Sequence, residues 1–522
     1  MDAKLQNKIN QWSVFEITLQ GPATGNPYLS TSLTATFTLD DKEDIENKST
    51  QKSVEGFYDG EGHYKIRFMP QLQGKWSYET KSNVAELDGV KGGFDCIEPE
   101  EGNHGPVHVV NQFHFQYEDG TAYYPFGTTC YAWIHQSEQL QEQTLETLAQ
   151  NQFNKIRMCV FPKFYSNNNS EPEFYPYEGE APDKWDFTQF HPEFFRHLER
   201  RITDLAKLGI EVDLILFHPY DKGHWGFDRM SAESDDRYLR YVIARLGSFH
   251  NVWWSMANEY DYLEKKTKED WNRMIELVAK TDPYHHNLSI HNAKNFFDNW
   301  NPYLTHASIQ LGTKCGTVRY GLGRLGLLRD AYHKPVIYDE VGYEGNLVQR
   351  WGQQTPEELT DKFWQAIISS TYMTHGETFT HPEDVIWWSK GGKLRGKCPA
   401  RIAFLKKIVE ESGLHGLDQL DLWWELDGVG KHGSYYLYYF SYETPDRWKF
   451  ELPAFKTGVD IPYGAKFQVD VIDAWNMTIT PIKELFEVTD KDRYHYICNY
   501  NPYVELPGKP FMTIRIRRVE NE

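Results

Sequence analysis

Between residues 106 and 413 the chain alternates short apolar runs with amphipathic stretches of helical period, and this rhythm constrains the fold more than any other feature of its 522 residues. An apolar run followed by a helix, repeated, is the pattern of parallel βαβ units. Eight runs can be counted, at 122–126, 155–160, 212–217, 252–256, 288–290, 307–309, 336–338 and 377–380. Eight is the number that closes a (β/α)8 barrel. The helices between them carry their own signals: Phe195, Leu198, Ile202 and Leu205 fall on one face after Pro192, and Gly209 ends that helix. Thr355, Pro356 and Glu358 form a capping box ahead of Leu359, Phe363 and Ile367. A doubly wound open sheet would alternate in the same way. It would also carry Gly-x-Gly-x-x-Gly after an early strand to cradle a dinucleotide, and that motif is missing.

On either side the period changes from helical to alternating. Short β-runs fill 12–78, and alternation returns at 435–442, 467–472 and 512–516. The expected architecture is α/β: a TIM barrel over 101–418, flanked by an N-terminal β-sandwich over 1–100 and a C-terminal one over 419–522.

Charge and composition narrow the function. With 55 basic and 75 acidic residues the net charge is −20, a field that repels nucleic acid and anionic membrane surfaces and suits neutral ligands. The chain has 17 Trp and 33 Tyr, whose flat faces can stack on sugar rings, although core packing accounts for most of them. Cys96, Cys130, Cys159, Cys315, Cys398 and Cys498 are scattered without paired spacing, so they read as free thiols. The first residues contain no apolar run of the kind a signal peptide needs, which leads to the expectation of a cytoplasmic enzyme.

In a barrel, chemistry sits where strands end, so the polar residues after each apolar run are the candidates. The fourth run ends Met256-Ala257-Asn258-Glu259 and the seventh ends Tyr338-Asp339-Glu340. A glutamate after a strand is often only a solvated loop charge; two together suit glycosidic cleavage. That reaction needs an acid to protonate the leaving oxygen and a carboxylate to meet the oxocarbenium ion. A gap of about 5 to 5.5 Å between them would give retention, and about 6.5 to 9.5 Å inversion.

Asn-Glu after a tryptophan-rich fourth strand, with a later glutamate on the seventh, resembles the clan A glycoside hydrolases. The resemblance implies Glu259 as acid/base, Glu340 as nucleophile and a retaining mechanism. It also implies that Asn258 holds the substrate 2-hydroxyl and that Arg157 keeps the nucleophile ionised. More narrowly, the chain is similar to a bacterial family with an apiosidase-like barrel between two sandwiches. The matching stretches are Glu55-Gly56-Phe57-Tyr58-Asp59-Gly60, Gly74-Lys75-Trp76, Phe126-Gly127-Thr128-Thr129, Ala257-Asn258-Glu259-Tyr260-Asp261 and Ile472-Asp473-Ala474-Trp475-Asn476-Met477-Thr478. That family implies a glycosidase without a cofactor. The eighth-strand region, His375 to His381 followed by Trp387-Trp388, departs from the clan pattern, and Trp387 is taken as the sugar-facing tryptophan.

Other strand-end residues complete the expected substrate site: Tyr131 and Trp133 after the first run, His218 and Tyr220 after the third, His291 after the fifth and Gln310 after the sixth. Each histidine could equally satisfy buried backbone groups. Tyr343 and Glu344 are weaker candidates. His218, His224 and Asp221 match no metal-site spacing, so no metal is expected. No Gly-x-Ser-x-Gly elbow points to an esterase. The expected partner is a carbohydrate, with homo-oligomer contacts through the sandwiches as a further option. The rival class is a non-catalytic carbohydrate-binding or scaffold protein on the same barrel.

Overall fold

A computed structural model describes residues 8–40, 50–312, 325–381, 385–420, 428–455, 457–500 and 502–519. At its centre eight parallel strands form a barrel: β1 Phe126–Thr129, β2 Lys155–Cys159, β3 Glu211–Phe217, β4 Val252–Ala257, β5 Leu288–Ser289, β6 Ala307–Gln310, β7 Val336–Glu340 and β8 Tyr372–His375. They are hydrogen-bonded in the order β5-β4-β3-β2-β1-β8-β7-β6. A single parallel bridge, His291 to Ser308, joins the two ends of this path and closes the ring.

Two of the expected strands are displaced. Ala122–Tyr123 pairs antiparallel with His114–Tyr117, and that small sheet plugs the bottom of the barrel by setting Phe115 against Trp253 and Tyr372. The first barrel strand is the next segment, which is fully buried despite containing Gly127 and two threonines. Likewise Glu377–Thr378 pairs with Glu344–Gly345 outside the ring, and Tyr372–His375 is the eighth strand. In both places polar residues inside a buried strand hid it from a search for apolar runs.

The helices follow their sequence signals. Helix α1, Pro192–Lys207, buries Phe194, Phe195, Leu198, Ile202 and Leu205 against the barrel, each worth about 1.5–3 kcal/mol. Helix α2, Pro356–Ile368, starts with the reciprocal Thr355–Glu358 capping box. The barrel interior is not purely apolar. Lys155 Nζ lies 2.7 Å from Asp213 Oδ2 and 3.1 Å from Asp339 Oδ1, while Arg157 Nε is 3.3 Å from Asp213. Ser308 and Thr374 hydroxyls donate to Asp339. Two cations and two anions, fully buried and paired by charge, form a polar floor beneath the strand ends.

The flanking parts are β-sandwiches. In the first, Leu33–Leu39, Gln51–Tyr58 and Gly74–Ser82 build one face, and Gln51–Tyr58 bends across to pair with His63–Phe68 on the other. Phe15, Phe37, Phe68, Trp76 and Phe94 fill its core. In the last, Tyr435–Tyr439, Lys466–Asp473 and Met512–Val519 form the central ladder. The N-terminal sandwich is fixed to the barrel by buried ion pairs: Arg245 reaches Asp59 at 2.7 Å and Glu199 at 2.5 Å, and Arg67 reaches Glu199 at 2.8 Å. Cys96, Cys130, Cys159, Cys398 and Cys498 are free and buried; Cys315 lies outside the described residues. Among the described residues, no helix is long and apolar enough to cross a membrane.

Candidate functional site

The C-terminal strand ends bring Glu259 and Glu340 to one mouth. Glu340 is the last residue of β7, and Glu259 lies two residues beyond the end of β4. Glu259 has left-handed backbone, φ 50° and ψ 55°. A residue other than glycine rarely adopts that conformation, which costs of order 1–3 kcal/mol and tends to persist where the surrounding structure holds a functional side chain.

The two carboxyls have different surroundings. Glu259 is 6 % exposed; Gln310 Nε2 donates to its Oε1 at 3.2 Å, and Oε2 is buried with no partner among the described residues. Burial, then the charge of Glu340, pushes the Glu259 carboxyl up to about 8. It is therefore protonated at neutral pH. Glu340 instead accepts a hydrogen bond from the Tyr131 hydroxyl. Burial and the neighbouring Glu340 charge keep the Tyr131 phenol far above its usual range, so it stays a donor. A buried acid with a free oxygen thus stands beside a carboxylate held by a phenol.

Several expected residues converge here. The Tyr131 hydroxyl also lies 3.1 Å from Asn258 Oδ1, an oxygen to which Arg157 Nη2 donates at 3.3 Å. His291 lies with Nε2 3.3 Å from Gln310 Oε1 and 3.8 Å from Glu340 Oε1, and Nδ1 3.0 Å from Ser308. Burial drives its ring well below the usual histidine range, leaving it neutral. Arg157 makes its ion pairs with Asp213 and, at 3.8 Å, Asp339; it acts on Glu340 only through space. Burial alone would raise Asp339, but Lys155 and Arg157 hold it well below the usual carboxylate range.

Others do not reach the mouth. Trp133 is fully buried in the core, its indole donating to Met158 Sδ. Trp387 is also core, bonded to Thr128 Oγ1. The tryptophan that faces the site is its neighbour Trp388, whose ring lies 5.6 Å from Tyr131 and 5.8 Å from Tyr343. Backbone bonds from Tyr131 and Ala132 to the carbonyls of Trp388 and Ser389 fix that turn. Both ring nitrogens of His218 are occupied by backbone, Phe161 carbonyl and Tyr220 amide, so it braces a loop. Asp221 caps the amides of Gly223 and Phe227, and His224 pairs with Glu171, so this trio does not converge. No cluster of three metal-ligating side chains occurs among the described residues. Glu344 binds the amides of Lys397 and Cys398 beneath the site.

One residue escaped the sequence reading. Lys163, four residues past β2, is 1 % exposed, with Nζ 3.6 Å from the centre of the Tyr131 ring and 4.2 Å from that of Tyr220. The available signal was a lone cation inside Phe161-Pro162-Lys163-Phe164-Tyr165, a stretch otherwise aromatic and stiff.

Comparisons with known proteins agree with this architecture. Residues 110–412 match the apiosidase-like catalytic domain, residues 8–83 the domain of unknown function DUF5060, and residues 423–517 the domain of unknown function DUF5605. A crystal structure from Bacteroides vulgatus ATCC 8482, provisionally assigned as a glycoside hydrolase, is 42% identical; the match covers 98% of this chain and 100% of that one, with a TM-score of 0.90. A glycoside hydrolase family 5 structure from the same organism shares the fold at 12% identity, covering 79% of this chain and 93% of that one, with a TM-score of 0.56. No curated protein matches the chain. With more than half its length in the catalytic-domain match and a full-length structural relative, the chain belongs to the apiosidase-like family and is glycoside-hydrolase-like in sequence and fold.

Proposed function

We propose that the protein is a retaining glycosidase in which Glu340 is the nucleophile and Glu259 the acid/base. The observation that carries the acid and carboxylate roles is the unequal surroundings of the two carboxyls; retention is what the resemblance to the clan A hydrolases implies. Glu259, with a carboxyl pushed up to about 8 by burial and by the charge of Glu340, keeps a proton to give and a free Oε2 from which to give it. Separated proton affinities are what acid and nucleophile require.

In the first half-reaction Glu340 attacks the anomeric carbon while Glu259 protonates the leaving oxygen; in the second, Glu259 takes a proton from water as the glycosyl-enzyme is hydrolysed. The Tyr131 hydroxyl orients the attacking carboxylate. Among the described residues the Asn258 side chain bonds only through Oδ1, leaving its amide donor for the sugar 2-hydroxyl, whose bond strengthens in the transition state. Trp388 supplies the flat face for the sugar. The substrate is a small oligosaccharide or glycoside, and no cofactor takes part.

A panel of aryl glycosides of both anomeric configurations, followed by proton NMR, tests the reading. The first-formed sugar is expected to keep the substrate's configuration. With Glu259→Ala, added azide is expected to give a glycosyl azide of retained configuration. An inverted first product would overturn the mechanism, and absence of turnover across the panel would favour the binding-protein alternative.

A further inference from the structure

The proposed mechanism leaves one charged group at the mouth without a task. Lys163 is buried, and its ammonium is ringed by aromatic faces: Tyr131 at 3.6 Å, Tyr220 at 4.2 Å, Tyr165 at 4.9 Å and Trp388 at 5.5 Å from Nζ to the ring centres. Such faces attract a cation but offer no lone pair to its three N–H donors. Among the described residues Nζ makes no hydrogen bond and no ion pair. A buried ammonium is ordinarily matched by a carboxylate.

The surrounding charges act on it only through space and, among the described residues, give its N–H donors no bonded acceptor. Lys155 and Arg157 are balanced below by Asp213 and Asp339. Burial lowers His218 to about 4 and raises the Cys159 thiol to about 11, so both are neutral. Glu259 holds its proton, and Glu340 favours the ammonium only through space while its carboxylate takes the Tyr131 hydroxyl, so the N–H donors of Nζ are left without an acceptor among the described residues. Lys163 feels the charge of Glu340 and lies against Tyr131, which bonds that carboxyl, so it belongs to the same mouth. A chain of net charge −20 also needs a local cation to retain an anionic ligand.

We propose that Lys163 determines substrate specificity, its caged ammonium taking a carboxylate carried by the glycone, so that the substrates are glycosides of uronic acids. A sugar carboxylate brings two acceptor oxygens and a directly bonded counter-charge together, whereas a hydroxyl brings one weak acceptor and no charge. The cage fixes the ammonium in advance, so little side-chain freedom is lost on binding. This rests on the glycosidase reading for turnover, though not for binding.

The test therefore has two arms. In the first, wild-type protein is titrated calorimetrically with glucuronate, galacturonate, glucose and galactose. At least one acid is expected to bind tenfold or more tightly than its neutral parent, and Lys163→Met to erase that preference while circular dichroism stays unchanged. In the second, 4-nitrophenyl glucuronides and galacturonides are compared with the matching glucosides and galactosides. Wild type is expected to favour a uronide at least tenfold in kcat/KM; Lys163→Met is expected to lower that ratio at least tenfold, chiefly through KM, and Lys163→Arg to restore part of it. Acids that bind no better than neutral sugars, or a Lys163→Met variant that lowers both substrate classes equally, would overturn the proposal. Tight acid binding without any turnover would instead overturn the glycosidase reading and leave this one standing.

Discussion

Gln310 donates from Nε2 to Oε1 of Glu259 at 3.2 Å, and this bond divides the carboxyl into a fixed oxygen and a free one. It also sets the proton affinity in a known direction, because a donor to the carboxylate favours the charged form. With the acid at about 8, kcat/KM is expected to hold through neutral pH and to fall as pH rises through about 8, since the form that protonates the leaving oxygen is lost there. Gln310→Ala removes a bond that lowers the value, so the alkaline limb moves to higher pH. Glu340→Gln removes a charge that raises it, so the Glu259 carboxyl, followed by carbon NMR in that variant, titrates at lower pH.

Protonating the leaving group matters most when that group is a poor one. Glu259→Ala is therefore expected to lower kcat/KM by about 10²–10⁴-fold on an unactivated sugar linkage. On a 2,4-dinitrophenyl glycoside the loss should be far smaller, because the departing phenolate needs no proton. Comparing the two substrates in one variant checks the assignment; equal losses would point to a structural role.

The single Tyr131 hydroxyl proton goes to Glu340, with Asn258 Oδ1 3.1 Å from the same oxygen. A hydrogen bond to a charged group contributes about 1.5–3 kcal/mol, so Tyr131→Phe is expected to reduce kcat by about 10–100-fold. The ring stays in the Tyr131–Lys163 contact, so the unfolding midpoint should barely move. A large loss of stability with unchanged kcat would argue against the role.

Glu259 and Glu340 were legible because each closes an apolar run, and Gln310 and His291 because they end the next strands around the ring. The two displaced strands were illegible for a physical reason: β1 and β8 are buried by closure of the barrel, which no local pattern of Phe126-Gly127-Thr128-Thr129 or Tyr372-Met373-Thr374-His375 announces. Trp387 and Trp388 are neighbours in sequence, and only the turn that bonds Trp388 and Ser389 carbonyls to β1's extension decides which of them faces the mouth. Lys163 was missed because its significance lies in four rings drawn from four separate segments.

The Arg245 guanidinium joins the N-terminal sandwich to the barrel by pairing with Asp59 on one side and Glu199 on the other, with Arg67 reaching back to the same glutamate. Glu199 belongs to α1, so its carboxylate, held low by Arg245 and Arg67 against the opposing effect of burial, carries the charge of the joint. Removing one partner from such a set leaves an uncompensated buried charge, at a cost of about 3–5 kcal/mol. Glu199→Ala would leave two guanidiniums facing each other across the joint, and is expected to lower the unfolding midpoint by about 5–10 °C. Because the joint lies away from Glu259 and Glu340, kcat below the transition should change little. Scanning calorimetry beside an activity assay separates the two effects, and a Glu199→Ala variant with an unchanged midpoint would show that the sandwich is not braced through these ions.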